Sequence, residues 1–389
     1  MRIKQVTFGC RLNRAESLDE GARLEAMGHT LVERASDAGL IIVRCCSVTA
    51  KAERDCRREL GRLRKAYPNA EVRAVGCIEG ASREDDLSPG PALPLKTSRA
   101  YLKVQDGCAA NCAYCIVPRF RGTPRSVPFA DVMERARAFA GAGYSELVLT
   151  GCNLALYRSA GKGLAELADA LAKAVPRLRI GSVEPGPGAE GLVEAMAENP
   201  NICRFLHISL QSASQAVLRR MGRPYGAGDL EEMCLGARRR LGARLMLGAD
   251  AIAGFPGESE SDFAMTRDFL RRHGFANVHA FAYSERPGTA AAAMDGAIEV
   301  TERRRRAHIL SADGREARET FAKGLLGQEV EIAVERVMGG VSYGWSSEYV
   351  WTGIEGVYPR RSLAKGVAVK LEGGILQAKH VNREEVEAV

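Results

Sequence analysis

The 389-residue sequence contains no run that approaches the roughly 20 consecutive apolar residues of a membrane-spanning helix. Its first residues, MRIKQVTFGC, lack the apolar core of a signal peptide and are typical of a first strand. Neither sign of charge dominates, because the formal net charge is +7, and this value is compatible with an RNA partner without demanding one. We therefore expect a cytoplasmic protein with no membrane association. Thiols stay reduced in the cytosol, so its eleven cysteines are interpreted as ligands or core residues in preference to disulfide partners.

Three segments differ in pattern and predict an α/β protein of three domains. Residues 1–98 read as an open parallel α/β domain that ends in a linker over 81–98, rich in Pro, Ser, Gly and charge. Residues 99–322 alternate strands and helices and predict six parallel β/α units, which form a partial (β/α)6 barrel. Residues 323–389 contain short alternating runs typical of a small antiparallel β-barrel.

The stretch DGCAANCAYCIVP (106–118) brings Cys108, Cys112 and Cys115 together directly after the predicted strand YLKVQ. These three loop cysteines lie at the catalytic end of the first barrel strand. Three thiolates at this spacing are typical of a metal or cluster site. The loop has no His and no fourth Cys, which weakens a structural zinc site. Zinc with an outside fourth ligand and a loop without metal stay open as alternatives.

A second group of three cysteines is scattered in sequence but shares one structural position. Cys10, Cys46 and Cys77 each follow a predicted strand of the first domain. The carboxyl ends of parallel strands meet at one edge of a sheet, so these strand-end cysteines are predicted to converge there. Any one of them alone could equally be a buried core residue.

The remaining cysteines show no partner pattern. Cys45 precedes a strand-end cysteine and is predicted to face the opposite side of its strand, in the core. We interpret Cys56, Cys152, Cys203 and Cys234 as structural. Cys152 differs from the others in position, because it follows the strand ELVLTG at the predicted barrel mouth.

The loop motif C-x3-C-x2-C, with Tyr114 before its last cysteine, resembles that of the radical S-adenosylmethionine enzymes. In that superfamily three thiolates hold three irons of a 4Fe–4S cluster, and the fourth iron binds S-adenosylmethionine. A resemblance to its methylthiotransferase family extends over nearly the whole chain and rests on FGCRLNRAES, CCSVTAKAE, AVGC, DGCAANCAYCIVPRFRG, LQSASQAVLRRM, AIAGFPGE and FAYSERPGT. It implies a radical cluster on the loop cysteines and an auxiliary 4Fe–4S cluster on the strand-end cysteines.

The same resemblance implies a substrate and partners. The stretch FGCRLNRAES favours the branch that adds a methylthio group to carbon 2 of threonylcarbamoyladenosine next to the tRNA anticodon. Two molecules of S-adenosylmethionine per turnover, a reducing donor of the flavodoxin or ferredoxin type, the tRNA anticodon stem-loop and a monomeric enzyme are expected. Tyr114, Ser182 and Glu184 are the expected contacts to S-adenosylmethionine. Alternatives are isopentenyladenosine in tRNA, an aspartate of a ribosomal protein, or a non-catalytic iron–sulfur RNA-binding sensor.

Several stretches depart from the family or stand outside its motifs. Arg44 and Cys45 occupy positions where the family usually has Asn-Thr, and the short spacing from Cys77 to Cys108 predicts a trimmed first domain. The run Arg303–Arg306 is interpreted as a solvated helix face in preference to an RNA-binding site. The C-terminal segment, TRAM-like by resemblance, carries aromatic residues that can stack on bases or pack in its core. These are Tyr343, Trp345, Tyr349, Trp351 and Tyr358.

Overall fold

The structure is a computed structural model, and it describes residues 1–81, 97–189 and 191–380. Most of the linker predicted over 81–98 lies outside these ranges, as do the last nine residues of the predicted C-terminal segment. Among the described residues, none of the helices combines the length and the apolar character that crossing a membrane requires.

The N-terminal part is an all-parallel sheet of four strands in the order β2-β1-β3-β4. The central strand β3 is buried along its whole length, as its continuous apolar run predicts. Because all four strands run in one direction, the ends of β1, β3 and β4 lie at the same edge. The elements are β1 (Arg2–Thr7), α1 (Arg11–Ala26), β2 (Thr30–Leu31), β3 (Leu40–Cys45), α2 (Ala50–Ala66) and β4 (Glu71–Gly76).

The central part repeats strand and helix around the largest hydrophobic core, and its main strands run parallel. Its strands are β5 (Ala100–Asp106), β6 (Arg125–Ser126), β7 (Glu146–Gly151), β8 (Arg177–Arg179), β9 (Phe205–Gln211), β10 (Met246–Ala253) and β11 (Phe275–Ala282). Its helices are α3 (Val117–Arg121), α4 (Phe129–Gly141), α5 (Leu164–Ala172), α6 (Leu192–Glu198), α7 (Gln215–Arg220), α8 (Ala227–Leu241), α9 (Glu260–Arg272) and α10 (Val300–Lys323).

The six parallel strands form two hydrogen-bonded sheets, β6-β5-β7-β8 and β9-β10-β11, and β6 is a short antiparallel addition to β5. Two isolated parallel bridges, Leu178 to Ile202 and Val183 to Ile208, connect the sheets. The predicted strand RIGSVEP (179–185) is therefore shifted, since regular pairing covers Arg177–Arg179 and the following residues contribute one bridge.

The C-terminal part is a closed barrel in the order β12-β13-β14-β16-β15. Four of its pairings are antiparallel, but β14 and β16 run parallel, which differs from the wholly antiparallel barrel that the sequence predicts. Strand directions can alternate around a closed ring only if the number of strands is even, so five strands require one parallel pair. The strands are β12 (Glu329–Met338), β13 (Val341–Ser346), β14 (Trp351–Glu355), β15 (Leu363–Glu372) and β16 (Ile375–His380).

The closed barrel packs against the amino ends of the central strands. Phe205 and Met246, the first residues of β9 and β10, belong to its hydrophobic core. Arg177 and Arg179 are fully buried against Glu146 and donate to backbone carbonyls of the barrel. The loop cysteines follow the carboxyl end of β5, so they and the closed barrel lie at opposite ends of the parallel strands.

Candidate functional site

The strand-end cysteines come together at the edge of the N-terminal sheet. Cys10 precedes α1, Cys46 follows β3 and Cys77 follows β4. Burial is the main cause that raises the pKa of the Cys46 thiol to about 12, and the nearby thiols of Cys10 and Cys77 contribute to this shift. The three thiols are therefore close enough to interact electrostatically, as the parallel order of their strands predicts.

A glycine before Cys10 makes this approach possible. Gly9 has φ of +98°, and a Cβ on it would lie 2.5 Å from the Cβ and 2.9 Å from the Sγ of Cys46. Such a contact is shorter than side-chain atoms tolerate, so only glycine lets the turn after β1 lie against Cys46. Gly76 precedes Cys77 in the same way, with φ of +93° and a Cβ position 2.9 Å from the carbonyl oxygen of Cys45.

The loop cysteines form a second compact group at the end of β5. The backbone N–H of Cys115 donates to the carbonyl of Cys112 at 2.9 Å, and that of Cys108 donates to the carbonyl of Gly122 at 3.0 Å. These bonds fold the loop back on itself. Burial is the main cause that raises the pKa of the Cys115 thiol to about 11, and the nearby thiols of Cys112 and Cys108 contribute to this shift, so the three sulfurs lie close together.

Each group of cysteines has one arginine in contact with a sulfur. Arg121 Nε donates to Cys77 Sγ at 3.1 Å, and Arg223 Nη1 donates to Cys112 Sγ at 2.9 Å. Burial raises the pKa of both thiols, and the arginine beside each sulfur opposes this shift. The cation thereby favours the thiolate, which is the form that ligates metals. Neither arginine was predicted from the sequence as a site residue. Arg121 lies just beyond the cysteine loop in PRFRG, and Arg223 lies just beyond LRRM, but neither position has a spacing rule that marks it.

Arg121 also belongs to a buried ionic network that joins the two groups. Its Nη1 donates to Glu16 on α1 at 2.7 Å and to Asp106 on β5 at 3.0 Å. Lys103 Nζ contacts the same two carboxylates at 3.0 and 3.2 Å. Burial alone would raise the pKa of Glu16, but Arg121, Lys103 and Arg44 outweigh it and lower that pKa to about 2. The network therefore ties the N-terminal sheet to the strand that carries the loop cysteines.

Arg44, which departs from the family pattern, also has hydrogen-bonding and ionic partners in this network. Its buried guanidinium donates to Ser17 Oγ at 3.0 Å, to Glu16 Oε2 at 3.2 Å and to Glu20 Oε2 at 3.1 Å. The acidic face of α1 thus compensates for a cation at the end of β3. The neighbouring Cys45 is fully buried in the core of the N-terminal part, as strand alternation predicts.

Two of the three expected contacts to S-adenosylmethionine meet beside the loop cysteines. The Tyr114 hydroxyl accepts a hydrogen bond from Arg223 Nη1 at 3.1 Å, and Glu184 forms an ion pair with Arg223 Nη2. Burial raises the pKa of Tyr114 well above its usual range, which keeps the phenol neutral. Ser182 points elsewhere, because its Oγ donates to Asp250 Oδ2 at 3.4 Å.

Cys152 differs from the other cysteines that were interpreted as structural. Cys56, Cys203 and Cys234 are buried, which agrees with that interpretation. Cys152 is only half-buried, and its Sγ lies 3.3 Å from Asp106 Oδ1, within the ionic network. The interpretation of Cys152 as structural stays a prediction, and the structure adds its contact with a carboxylate 46 positions away, which local sequence does not indicate.

The run Arg303–Arg306 is not uniformly solvated. Arg303 and Arg306 are buried, and they pair with Glu285 at 2.9 Å and Glu258 at 2.7 Å. Arg306 holds the stretch AGFPGE at the end of β10 through Glu258, and Arg303 packs against Gly254 in the same stretch. The prediction of a solvated helix face is wrong for these two residues and right for Arg305, which is half exposed.

Tyr349, one of the C-terminal aromatic residues, is used in internal packing. Its ring stacks between Phe205 and Trp345 with centroid distances of 4.6 and 4.5 Å. Its hydroxyl accepts a hydrogen bond from Arg11 Nη2 at 2.9 Å. It therefore links the closed barrel to the central strands and to the start of α1. All five aromatic residues of this segment are half-buried.

Comparisons with known proteins agree with this geometry. The radical SAM superfamily matches residues 102–270, and the uncharacterized protein family UPF0004 matches residues 2–91. Threonylcarbamoyladenosine tRNA methylthiotransferase MtaB of Thermotoga maritima is 31% identical over 90% of both chains. A tRNA-2-methylthio-N(6)-dimethylallyladenosine synthase of Cereibacter sphaeroides is 32% identical over 74% of this chain and 76% of its own. TsrM, a radical S-adenosylmethionine methyltransferase from Kitasatospora setae, has a TM-score of 0.52 at 14% identity and 75% coverage of both chains.

The parallel β/α fold, with a C-x3-C-x2-C loop at the end of its first strand, is the architecture of a radical S-adenosylmethionine enzyme. Relatives at 30% identity or more span most of the chain, and their names fall into two substrate branches. The chain belongs to the tRNA methylthiotransferase family within that superfamily.

Proposed function

We propose that this protein is a radical S-adenosylmethionine methylthiotransferase that adds a methylthio group to carbon 2 of threonylcarbamoyladenosine next to the tRNA anticodon. The observation that carries the proposal is the position of Arg121 between the two groups of cysteines. Its Nε contacts Cys77, and its Nη1 contacts Asp106, the last residue of the strand before the loop cysteines. Two sets of three thiols joined through one buried side chain suit a reaction that needs two clusters at one cavity.

The donor sets fit the two clusters implied by the family. Each set offers three thiols and one arginine that favours a thiolate, and three protein ligands leave one iron of a 4Fe–4S cluster open. When bound, the clusters and two molecules of S-adenosylmethionine supply the carbon radical and the methylated sulfur. The radical is needed because an aryl C–H is far too weak an acid for a side chain to deprotonate near neutral pH.

The residues of this chain bind and orient the reactants. Arg223 holds Glu184 and Tyr114 next to Cys112, where these two side chains would contact S-adenosylmethionine. Ser182, the third expected contact, faces Asp250 instead. Glu184 is held on its other oxygen as well, by Asn153 Nδ2 at 2.6 Å. Because both carboxylate oxygens have fixed partners, the side chain is positioned before a ligand arrives.

The three parts of the chain take separate roles in this proposal. Residues 1–98 carry the auxiliary cluster in a shortened domain, and residues 99–322 carry the radical cluster in a partial (β/α)6 barrel. Residues 323–389 form a TRAM-like RNA-binding barrel for the anticodon stem-loop. Of its aromatic rings, Trp351 and Tyr343 lie under the Arg336 guanidinium at 5.5 Å, an arrangement that can stack with bases. The enzyme acts as a cytoplasmic monomer and takes electrons from a donor of the flavodoxin or ferredoxin type.

Mass spectrometry of tRNA nucleosides tests the proposal. A strain without this gene should lose methylthio-threonylcarbamoyladenosine, and the wild-type gene should restore it. Cys112→Ala and Cys77→Ala should each fail to restore it, since each removes a thiol from one cluster set. Cys234→Ala is the matched control, because Cys234 is buried in α8 away from both sets and should restore the nucleoside fully.

Other outcomes separate the alternatives. Loss of a methylthiolated isopentenyladenosine instead would keep the chemistry and change the substrate. A change only in the mass of a ribosomal protein would indicate an aspartate substrate. If no methylthio product depends on the gene, and the purified protein does not cleave S-adenosylmethionine under reducing conditions, the sensor alternative replaces this proposal.

A further inference from the structure

Three polar side chains converge inside the central barrel on its neighbouring strands β9, β10 and β11. His207 Nε2 and His279 Nδ1 each lie 3.2 Å from Asp250 Oδ1. One nitrogen or oxygen atom of each residue lies within 4.8 Å of the other two. Asp250 and His279 are direct neighbours in the parallel register, so the backbone itself brings them to one face. No cysteine of either cluster set takes part.

His207 is buried without the hydrogen bonds that a buried imidazole normally has. Its side chain is 2% exposed, and neither ring nitrogen has a hydrogen-bonding partner among the described residues. A buried polar group left in this state destabilises the fold unless a ligand satisfies it. Its Nε2 nevertheless faces the same carboxylate oxygen as His279 Nδ1. His279 Nδ1 is placed to hydrogen bond with Asp250 Oδ1, whereas His207 Nε2 faces the same oxygen without a hydrogen bond. Two imidazole nitrogens directed at one carboxylate oxygen are an arrangement that a shared cation would explain.

The surroundings of the three residues hold them in this orientation. A Cβ on Gly248 would lie 2.6 Å from His207 Nδ1, so glycine at this position gives the ring its room. Ser182 Oγ donates to Asp250 Oδ2 at 3.4 Å, which leaves Oδ1 for the two histidines. Asn277 Nδ2 lies 3.5 Å from His279 Nε2. Contacts of this kind orient the ligands in metal sites.

We propose that His207 Nε2, Asp250 Oδ1 and His279 Nδ1 bind one divalent transition-metal ion, such as Zn²⁺ or Co²⁺, separately from the iron–sulfur clusters. Imidazole and carboxylate ligands suit such ions and bind them at about 2.0–2.2 Å. Ligand atoms at that distance from one ion are about 2.8–3.6 Å apart in octahedral to tetrahedral geometry, and the two measured separations are 3.2 Å. His279 is half exposed, which leaves the site accessible to an ion.

The test is equilibrium dialysis of the cluster-loaded protein against Co²⁺, with cobalt and iron measured together by mass spectrometry. We expect about one cobalt per chain and no loss of iron. Cobalt that binds only as iron is lost, or no bound cobalt at all, would overturn the proposal. Iron retention also separates this outcome from any failure of the proposed activity, which does not enter the measurement.

Variants assign the bound ion to this site. His279→Gln and Asp250→Asn should each weaken cobalt binding at least tenfold while iron content stays at the wild-type level. His279 is half exposed, so its replacement disturbs little packing and remains informative if Asp250→Asn folds poorly. His308→Ala is the matched control, since His308 is exposed on α10 and should leave cobalt binding unchanged. Unchanged binding in His279→Gln would mean that the three residues form only a hydrogen-bonded cluster.

Discussion

The Glu16→Gln substitution should lower the free energy of unfolding by about 3 kcal/mol near neutral pH. Glu16 accepts from Arg121, Lys103 and Arg44, and its carboxylate is buried between α1 and β5. These partners lower its pKa from 4.5 to about 2 against the effect of burial. Each pKa unit corresponds to about 1.4 kcal/mol, which gives a contribution of about 3 kcal/mol. The loss from breaking a buried ion pair is of the same size, about 3–5 kcal/mol.

The effect has a defined dependence on pH. A carboxyl group with a lowered pKa stabilises the folded state fully above its unfolded value of 4.5, and this contribution is lost as the pH falls through the folded value of about 2. The difference between wild type and Glu16→Gln should therefore stay constant from about pH 7.5 to about pH 5.5. It should shrink from about pH 4.5 down to about pH 2, because the unfolded chain takes up a proton at Glu16 in this range while the folded protein still holds the carboxylate.

Urea unfolding followed by circular dichroism measures this difference. Iron-free protein is suitable, because acid then has no cluster to decompose. Glu25→Gln is the matched control on the same helix, since Glu25 is exposed and its loss should cost less than about 0.5 kcal/mol. If Glu16→Gln and Glu25→Gln unfold alike, or if their difference does not change with pH, the stabilising role assigned to the network is refuted.

Three further predictions concern the cluster sites and the packing of the closed barrel. Gly9→Ala should cost the reconstituted protein about half of its iron, because the new Cβ collides with Cys46. Gly28→Ala is the control and should keep the wild-type iron content, because Gly28 has a similar φ but open space around its Cβ position. Equal iron contents in the two variants would contradict the prediction. Arg223→Met should weaken S-adenosylmethionine binding at least tenfold in calorimetry, and unchanged affinity would remove Arg223 from the binding site. Tyr349→Ala should lower the free energy of unfolding by about 2–3 kcal/mol, and Tyr349→Phe should lower it by less than about 1 kcal/mol. The reason is that the stacked ring contributes more to stability than the hydrogen bond of the hydroxyl. Equal losses in the two variants would contradict this order.

Features of the site that depend on local pattern were predictable. Cys46 and Cys77 follow runs whose apolar residues define β3 and β4, and parallel pairing then brings the ends of these strands to one edge. The order of strands and helices in the central part follows from the same periodicity. Where the pattern is interrupted, as after Arg179, the predicted strand is displaced.

The contacts that complete the site were not predictable, because they join residues far apart in sequence. Arg223 meets the Cys112 thiol across 111 positions, and Arg121 meets Glu16 across 105. A basic residue in a helix or loop has no local signal that separates a buried partner from solvent. Arg303 and Arg306 illustrate this, because their interpretation as solvated residues is wrong: both are buried, the first paired with Glu285 and the second with Glu258.

The sequence by itself determined the cysteine loop, the strand-end cysteines and the alternation of strands and helices, since each depends on spacing within a few residues or on one period of hydrophobicity. Only the tertiary structure decided which cations neutralise the buried carboxylates, how Tyr349 joins the closed barrel to the central strands, and that His207, Asp250 and His279 meet. The physical reason is that a buried charge or imidazole is satisfied by whichever partner the packing of distant elements brings within hydrogen-bonding distance.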